Sequence, residues 1–517
     1  MSAETNTRKI TRGFSSILIG TVTNLAILIT FTPFIVRLLG EYGYGRYAFF
    51  FSLFQIFTSI FNFGLFDGLR KYMAEDQENN KRLNELASAG TFFGVLSLFA
   101  FITCYLIAVF ISKTNSFINA DDLLIYFLLI ISIIGFQFFM IGRGILFGQH
   151  MEQKSEYLFP IKELIFSVLT VWWLLIGGGL MALFIAQGIS YCLIGAICYV
   201  TAWKNIDITF DAMKKGLRGF GKSLLKYSSV MFFLTLLSQL LYQIDILMIN
   251  MLLSEEATAF FKTIMVLSNY FMVVVVAVQT ILFHSASNLW AKDRSKIDDL
   301  ISNAMKYTII LELMISVLMV VLGESFLKLY FGASYAGAFI PLIIILPGIF
   351  LFSLQKLISS IILGKGDVHY FIPQGIVFFM LNIVLNYFLL ESMDIVGAAL
   401  TKTIVYSGNT FFFLLLAGKT GFNPVKNIKF VHISLAILPV FGVSFLLSWF
   451  IPGQLLQFIV IPAVGFFVYA ILLLNLKIIT LDEIERIIEN LPSEMHAFVK
   501  RIYSRIKPIA LILILRK

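Results

Sequence analysis

The sequence predicts an all-α polytopic membrane protein of about fourteen transmembrane helices: two pseudo-symmetric six-helix bundles plus two C-terminal helices. Three observations predict it. Of 517 residues, 59% are hydrophobic and only 13% charged, with mean hydropathy +0.90; a soluble domain carries about 25% charged residues. Fourteen apolar runs are each long enough to span a hydrocarbon core about 30 Å thick, which takes about 20 residues per helix. Finally, short segments of the first half recur in order in the second at a nearly constant spacing.

From the N-terminus, thirteen mostly polar residues lead into a run too long for the apolar core of a signal peptide, so the chain is expected to open with a cytoplasmic tail. Spans follow over residues 14–38 and 46–69, with a short external turn at Gly40-Glu-Tyr-Gly43-Tyr-Gly45, then over 87–111, 122–147, 157–177 and 180–202. A linker rich in Lys, Gly and Arg, 203–226, precedes spans 227–252, 257–283, 307–331, 336–363, 370–390 and 395–417; the last two are 430–451 and 455–477. Charged or Gly/Pro-containing breaks bound each run. Pro341 and Pro347 are expected to interrupt the tenth span. Beyond residue 478, Leu481, Ile484, Ile487, Ile488 and Leu491 share one helical face. After Pro492, Phe498, Ile502 and Ile506 lie opposite Lys500, Arg501, Arg505 and Lys507. Both stretches read as interfacial amphipathic helices on an anionic leaflet.

Lysine and arginine set orientation. One set of alternate loops and tails holds 29 of the 39 basic residues, whereas the opposite set holds only Arg37, Arg46, Lys113 and Lys328. Both termini are therefore expected in the cytoplasm, in a multi-pass protein of the cell membrane with an even number of spans. Much of the net charge of +9 is thus topology, and nucleic acid is not expected as a partner.

The repeat divides the chain. Lys81-Arg-Leu-Asn-Glu-Leu-Ala-Ser-Ala-Gly90 enters the third span as Ser295-Lys-Ile-Asp-Asp-Leu-Ile-Ser-Asn-Ala304 enters the ninth, 214 residues later. The same offset sets Leu39 on Leu253, Glu41 on Glu255 and Tyr47 on Phe261. A duplicated six-helix unit crosses the membrane in the same sense both times, so its pseudo-symmetry axis should lie along the membrane normal, with a cleft between the bundles. The expected domains are an N-terminal lobe over 1–202, the linker 203–226, a C-terminal lobe over 227–418, an appended helix pair within 419–477 and a cytoplasmic tail over 478–517.

Eleven ionisable residues fall inside predicted spans: Arg37, Asp67, Arg143, Lys162, Glu163, Asp245, Lys262, Glu312, Glu324, Lys356 and Lys402. Each basic or Asp side chain at mid-bilayer costs about 2.5–3.5 kcal/mol on insertion scales, so most must face water, pair with each other or snorkel to an interface. Arg37, Asp67 and Glu324 sit near span ends and read as snorkelling. Lys162 and Glu163 read equally as a neutralising local pair or as functional groups. Arg143, between Gly142 and Gly144, and the deeper Lys262, Lys356 and Lys402 are the candidate cavity cations. Gln239, Tyr242 and Asp245 share one helical stripe; a buried Asp245–Lys262 pair and a functional carboxylate are both open. Glu312 could carry a proton or cation or form a structural salt bridge.

Enzyme chemistry finds no support. His150, His284, His369, His432 and His496 are scattered without metal spacing, and Cys104, Cys192 and Cys198 lie singly in apolar runs. No nucleotide-binding lysine motif occurs, and no internal loop exceeds about 24 residues, too few for a soluble catalytic domain. Catalytic residues, cofactors and metals are all expected to be absent.

Val36-Arg-Leu-Leu-Gly-Glu-Tyr-Gly-Tyr-Gly-Arg-Tyr47 and Phe63-Gly-Leu-Phe-Asp67-Gly-Leu-Arg-Lys-Tyr-Met-Ala-Glu75 resemble the opening of the polysaccharide-transporter, or oligosaccharide flippase, family. This family belongs to the multidrug/oligosaccharidyl-lipid/polysaccharide (MOP) exporter superfamily. Gln243-Ile-Asp245-Ile-Leu-Met, Leu346-Pro-Gly348, Leu363-Gly-Lys-Gly366 and Val396-Gly-Ala-Ala399 are similar to its later landmarks, so the resemblance spans residues 10 to 420. Ala257-Thr-Ala-Phe-Phe261 departs from it, where the family usually has Gly and Tyr.

The resemblance implies a MATE-like fold of two six-helix lobes. It also implies translocation of lipid-linked oligosaccharide to the outer membrane face for surface polysaccharide biosynthesis. Arg143, Lys262, Lys356 and Lys402 would then neutralise a polyprenyl pyrophosphate, while Asp245, Glu312 and Asp67 would couple transport to H+ or Na+ or form structural pairs. Membrane lipids and glycan polymerases or glycosyltransferases are the other partners implied. Two further readings stand beside it: an ion-coupled multidrug exporter of the same superfamily, and a non-transporting scaffold of glycan assembly.

Overall fold

The computed structural model describes residues 2–75, 80–115, 120–149, 151–204, 206–489, 500–501 and 503–504. Sixteen α-helices order these residues, and among them there is no strand: α1 (Ser2–Asn62), α2 (Leu65–Glu75), α3 (Asn80–Asn115), α4 (Ala120–Gly148), α5 (Glu152–Leu175), α6 (Gly179–Trp203), α7 (Phe210–Gly219), α8 (Gly221–Leu252), α9 (Glu255–Phe271), α10 (Val273–Lys292), α11 (Ile297–Tyr330), α12 (Phe339–Lys365), α13 (Phe371–Thr420), α14 (Phe430–Phe450), α15 (Gln454–Asn475) and α16 (Leu481–Glu489). Most of the second amphipathic stretch expected after Pro492, including Phe498, Ile502, Ile506, Arg505 and Lys507, lies outside the described residues.

Twelve helical segments among the described residues are long and apolar enough to cross a membrane, against the fourteen expected. The difference lies in two of them. Gly20–Asn62 and Val368–Thr420 are counted as single segments of 43 and 53 residues. Each is broken by one non-helical residue, Gly40 at φ 68°, ψ 179° and Asp394 at φ 57°, ψ −145°. At 1.5 Å per residue, a straight helix of the shorter segment's length would run about 65 Å, twice a hydrocarbon core. The expected external turn thus shrinks to Gly40, a left-handed position that suits a residue without Cβ; Asp394 manages its break with its own carboxylate, which accepts the Ile395 N–H at 2.8 Å.

Two expected boundaries move. α12 runs unbroken through Pro347, and Pro341 lies in its first turn, where a missing N–H costs nothing, so neither proline interrupts the tenth span. α5 starts at Glu152, five residues ahead of the expected span, and this brings Glu156 into the helix.

The chain forms two compact units, one of Met1–Val266 with Val368–Thr401, the other of Leu267–Asp367 with Lys402–Lys517. In the first, α4 and α6 pack so closely that a Cβ at Gly142 would lie 2.8 Å from the Cys198 Cβ. Small residues at such a contact let backbones approach where lipid gives no hydrophobic drive between helices. Leu69, Met73, Leu86, Ile141, Ile145 and Ile194 form a core around this contact. α7 is capped by Thr209, whose side chain accepts the Ala212 N–H at 3.2 Å, and carries Asp211 in its first turn and Arg218 in its last, as the helix dipole favours.

In the second unit, the Trp290 indole N–H donates to the Ile361 carbonyl at 3.0 Å, joining α10 to α12, and Thr403 Oγ1 donates to the Ile344 carbonyl at 2.6 Å, joining the part of α13 beyond Asp394 to α12. α14 and α15 pack on α11 and on each other. They leave Trp449, Phe450, Leu455 and Ile459 at least 69% exposed, an apolar surface that lipid accepts and water does not. α16 is tied down by Glu483, which pairs with Lys306 of α11 at 3.1 Å.

Candidate functional site

The second unit brings two of the four candidate cations together. Phe352 of α12 and Tyr406 of α13 stack with ring centroids 4.1 Å apart and planes 12° from parallel. One turn along each helix, Lys356 Nζ lies 5.1 Å from the centre of the Phe352 ring and Lys402 Nζ 5.2 Å from that of Tyr406. Lys402 is fully buried. Such cation–π contacts are worth about 2 kcal/mol when desolvated, a large part of the insertion cost of each lysine. On the neighbouring turn of α12, Ser353 Oγ is in hydrogen-bond contact with the buried Glu312 carboxyl of α11.

The first unit holds the others, in different surroundings. Lys262 Nζ lies 4.9 Å from the centre of the Phe51 ring and has no carboxylate partner among the described residues; the Asp245–Lys262 pair that the sequence left open is therefore not formed. Asp245, fully buried, instead accepts the Asn386 amide N–H at 2.8 Å, and the same Asn386 nitrogen donates to Asn382 at 2.8 Å. Arg143 donates to Glu156 Oε1 at 2.8 Å and to Ser155 Oγ at 3.1 Å. Phe66, Phe139, Phe147 and Phe159 surround its guanidinium at 5.3–5.7 Å. Its charge thus already has a counterion.

The remaining charges pair locally. Lys162 Nζ meets Glu163 Oε2 at 2.5 Å and faces the Tyr191 ring at 4.7 Å, so the neutralising pair is the arrangement adopted. Lys328 meets Glu324 at 2.6 Å. Asp67, on α2 outside the twelve long apolar segments, meets Arg70 at 3.5 Å. Burial pushes the Asp67 carboxyl above the usual aspartate range, against the downward pull of Arg70. No cluster of three or more His, Cys, Asp or Glu able to hold a metal occurs among the described residues.

Sequence reading missed the partners. Glu156 was hidden by the late start expected for the fifth span, whereas Ser353, Asn382 and Asn386 are uncharged and raise no alarm in a search for in-span charge. The signal for the asparagines was available: Asn382 and Asn386 stand four apart on an otherwise apolar helix, and so share a face.

Long apolar helices with buried basic, acidic and amide groups define a polytopic membrane protein. The chain matches the family described as "Polysaccharide biosynthesis protein" over residues 10–290, more than half its length, and belongs to that family. It is 22% identical over 469 residues to an uncharacterized membrane protein of Methanocaldococcus jannaschii, covering 86% of this chain and 90% of that one. A probable low-salt glycan biosynthesis flippase, Agl15 of Haloferax volcanii, is 22% identical over 382 residues, covering 73% of this chain and 77% of that one. Among solved structures, the lipid II flippase MurJ in an inward closed conformation shares the fold with TM-score 0.69 at 17% identity, covering 89% of this chain and 97% of that one. The resemblance read from the sequence holds at the level of the family: the chain is a multi-pass membrane protein of the polysaccharide biosynthesis family, similar in sequence to a probable glycan flippase and in fold to a lipid II flippase.

Proposed function

We propose that the chain moves a polyprenyl-pyrophosphate-linked oligosaccharide from the cytoplasmic to the outer face of the cell membrane, by alternating access of its two repeats. Both termini are then cytoplasmic. The observation that carries the reading is the pair of lysines, Lys356 and Lys402, set on one stacked aromatic pair deep in apolar helices. Two basic groups set on one aromatic pair in a low-dielectric setting suit an anionic head group such as a pyrophosphate, whose attraction to them is strengthened there. Lys356 and Lys402 in the second unit, and Arg143 and Lys262 in the first, are the basic groups offered to the pyrophosphate during translocation; Arg143 exchanges Glu156 for it.

The test uses the full chain in proteoliposomes with a fluorescent polyprenyl-pyrophosphate disaccharide as probe. Replacing Arg143, Lys262, Lys356 and Lys402 together by Gln is expected to cut probe translocation at least about tenfold, the cost of about 1.4 kcal/mol or more in transition-state stabilisation. Wild-type translocation by an equally abundant variant would sink the reading. A probe carrying no phosphate and moved equally well would transfer support to the multidrug alternative.

A further inference from the structure

We infer that the Glu312 carboxyl is a proton-binding site, and that it carries the coupling ion of transport as H+ rather than Na+. Its role in coupling rests on the flippase reading; its occupancy by a proton does not.

Glu312 stands fifteen residues into α11 and is 1% exposed. Oε2 contacts Ser353 Oγ, and the buried Oε1 has no hydrogen-bond partner among the described residues. No cation lies within ion-pairing distance among those residues. The elements packed on α11 bring few charges. α12 carries Lys356 and Lys365, with Lys356 over the Phe352 ring and Lys365 held by Asp367 at 2.8 Å. α14 has only His432 in its first turn, α10 has His284 and Lys292, and α15 has no charged residue, its one titratable group being Tyr469; the short 3-10 turn Arg294–Lys296 brings Arg294, over the Trp290 ring, and Lys296, paired with Asp293, and the turn Ala333–Ala338 brings only Tyr335. An ionised carboxylate in this position would be a buried charge without a counterion, which proteins avoid by neutralising the group.

The hydrogen count points the same way. Ser353 Oγ has one hydrogen but touches two acceptors, Glu312 Oε2 and the Phe350 carbonyl, the latter at 2.7 Å. With a proton on Glu312, the chain closes: Oε2–H donates to Ser353 Oγ, whose own O–H donates to the Phe350 carbonyl. The ionised form leaves one of these contacts without a hydrogen. A hard metal cation fits poorly, since such ions gather about six oxygen ligands and, among the described residues, the side chains in contact here are one carboxyl and one hydroxyl. In transport, Glu312 takes one H+ from water on one face of the membrane and returns it to water on the other.

The experiment is infrared difference spectroscopy of the full chain reconstituted in lipid at neutral pH, comparing wild type, Glu312→Gln and Ser353→Ala. The carbonyl band of a protonated carboxylic acid is expected in wild type, lost in Glu312→Gln, and shifted to higher frequency in Ser353→Ala as its hydrogen bond goes. Exchanging K+ for Na+ should leave it unchanged. A spectrum without a band that Glu312→Gln removes, or a band that Na+ abolishes, overturns the site. In the proteoliposome assay an imposed pH gradient should accelerate the fluorescent probe in wild type and have no effect in Glu312→Gln. A gradient response in the variant overturns the coupling role. Failure of wild type to move the probe at all sinks the flippase reading and leaves the spectroscopic result standing.

Discussion

At the residue scale, the charges inside the apolar helices fall into two kinds. Lys262, Lys356 and Lys402 lie over aromatic rings, which soften their burial. Arg143 is cancelled: Glu156 and four phenylalanines enclose it, with only 12% and 14% of the two charged side chains exposed. Removing one member of so buried a pair strands the other, at about 3–5 kcal/mol, while removing both is far cheaper. Arg143→Gln and Glu156→Gln are each expected to lower the thermal unfolding temperature in detergent, and the double variant to recover most of the loss. Additive losses would show that the pair contributes no coupling, and that Arg143 owes its place to the aromatic cage alone.

At the scale of the element, the spans were legible because twenty apolar residues between charges have few other uses. Boundaries and partners were not. Nothing in the apolar pattern marks where α5 begins, so Glu156 read as loop. The Gly40 and Asp394 breaks are single left-handed residues, invisible to any window long enough to detect a span. The intramembrane charges were legible as misplaced, but Ser353 and Asn386, the uncharged partners of Glu312 and Asp245, were not, because a serine or asparagine in an apolar helix is tolerated in many settings. The α4–α6 contact tests the packing side of this. A side chain at Gly142 must displace Cys198, whereas Gly442 of α14 has nothing within 4 Å of a Cβ. Gly142→Leu is expected to destabilise by about 1–3 kcal/mol through overpacking, and Gly442→Ala to be neutral or stabilising by up to about 1 kcal/mol through helix propensity. Equal melting temperatures for the two variants would show that the close approach of α4 and α6 relaxes without cost.

At the scale of the whole molecule, charge asymmetry and helix geometry constrain each other. If Gly20–Asn62 and Val368–Thr420 each crossed the membrane once, Arg70, Lys71, Lys81 and Arg82 would sit on the face opposite the N-terminal Arg8, Lys9 and Arg12, as would the basic linker after α6. The 29-to-4 bias of basic residues would then collapse to near parity. Insertion machinery rarely leaves so basic a chain without a positive side. Two crossings in each segment, reversing at Gly40 and at Asp394, restore the bias and keep both termini on one face. Single cysteines at Thr5, Tyr42, Glu75 and Asp211, introduced after Cys104, Cys192 and Cys198 are replaced by serine, check this with a membrane-impermeant maleimide. Tyr42→Cys, at a site 53% exposed next to the Gly40 break, should label in intact cells. Thr5→Cys, Glu75→Cys and Asp211→Cys should label only in inverted vesicles. Labelling of Glu75→Cys in intact cells, with Thr5→Cys protected, would mean that α1 crosses once and that the basic loops do not set the orientation of this chain.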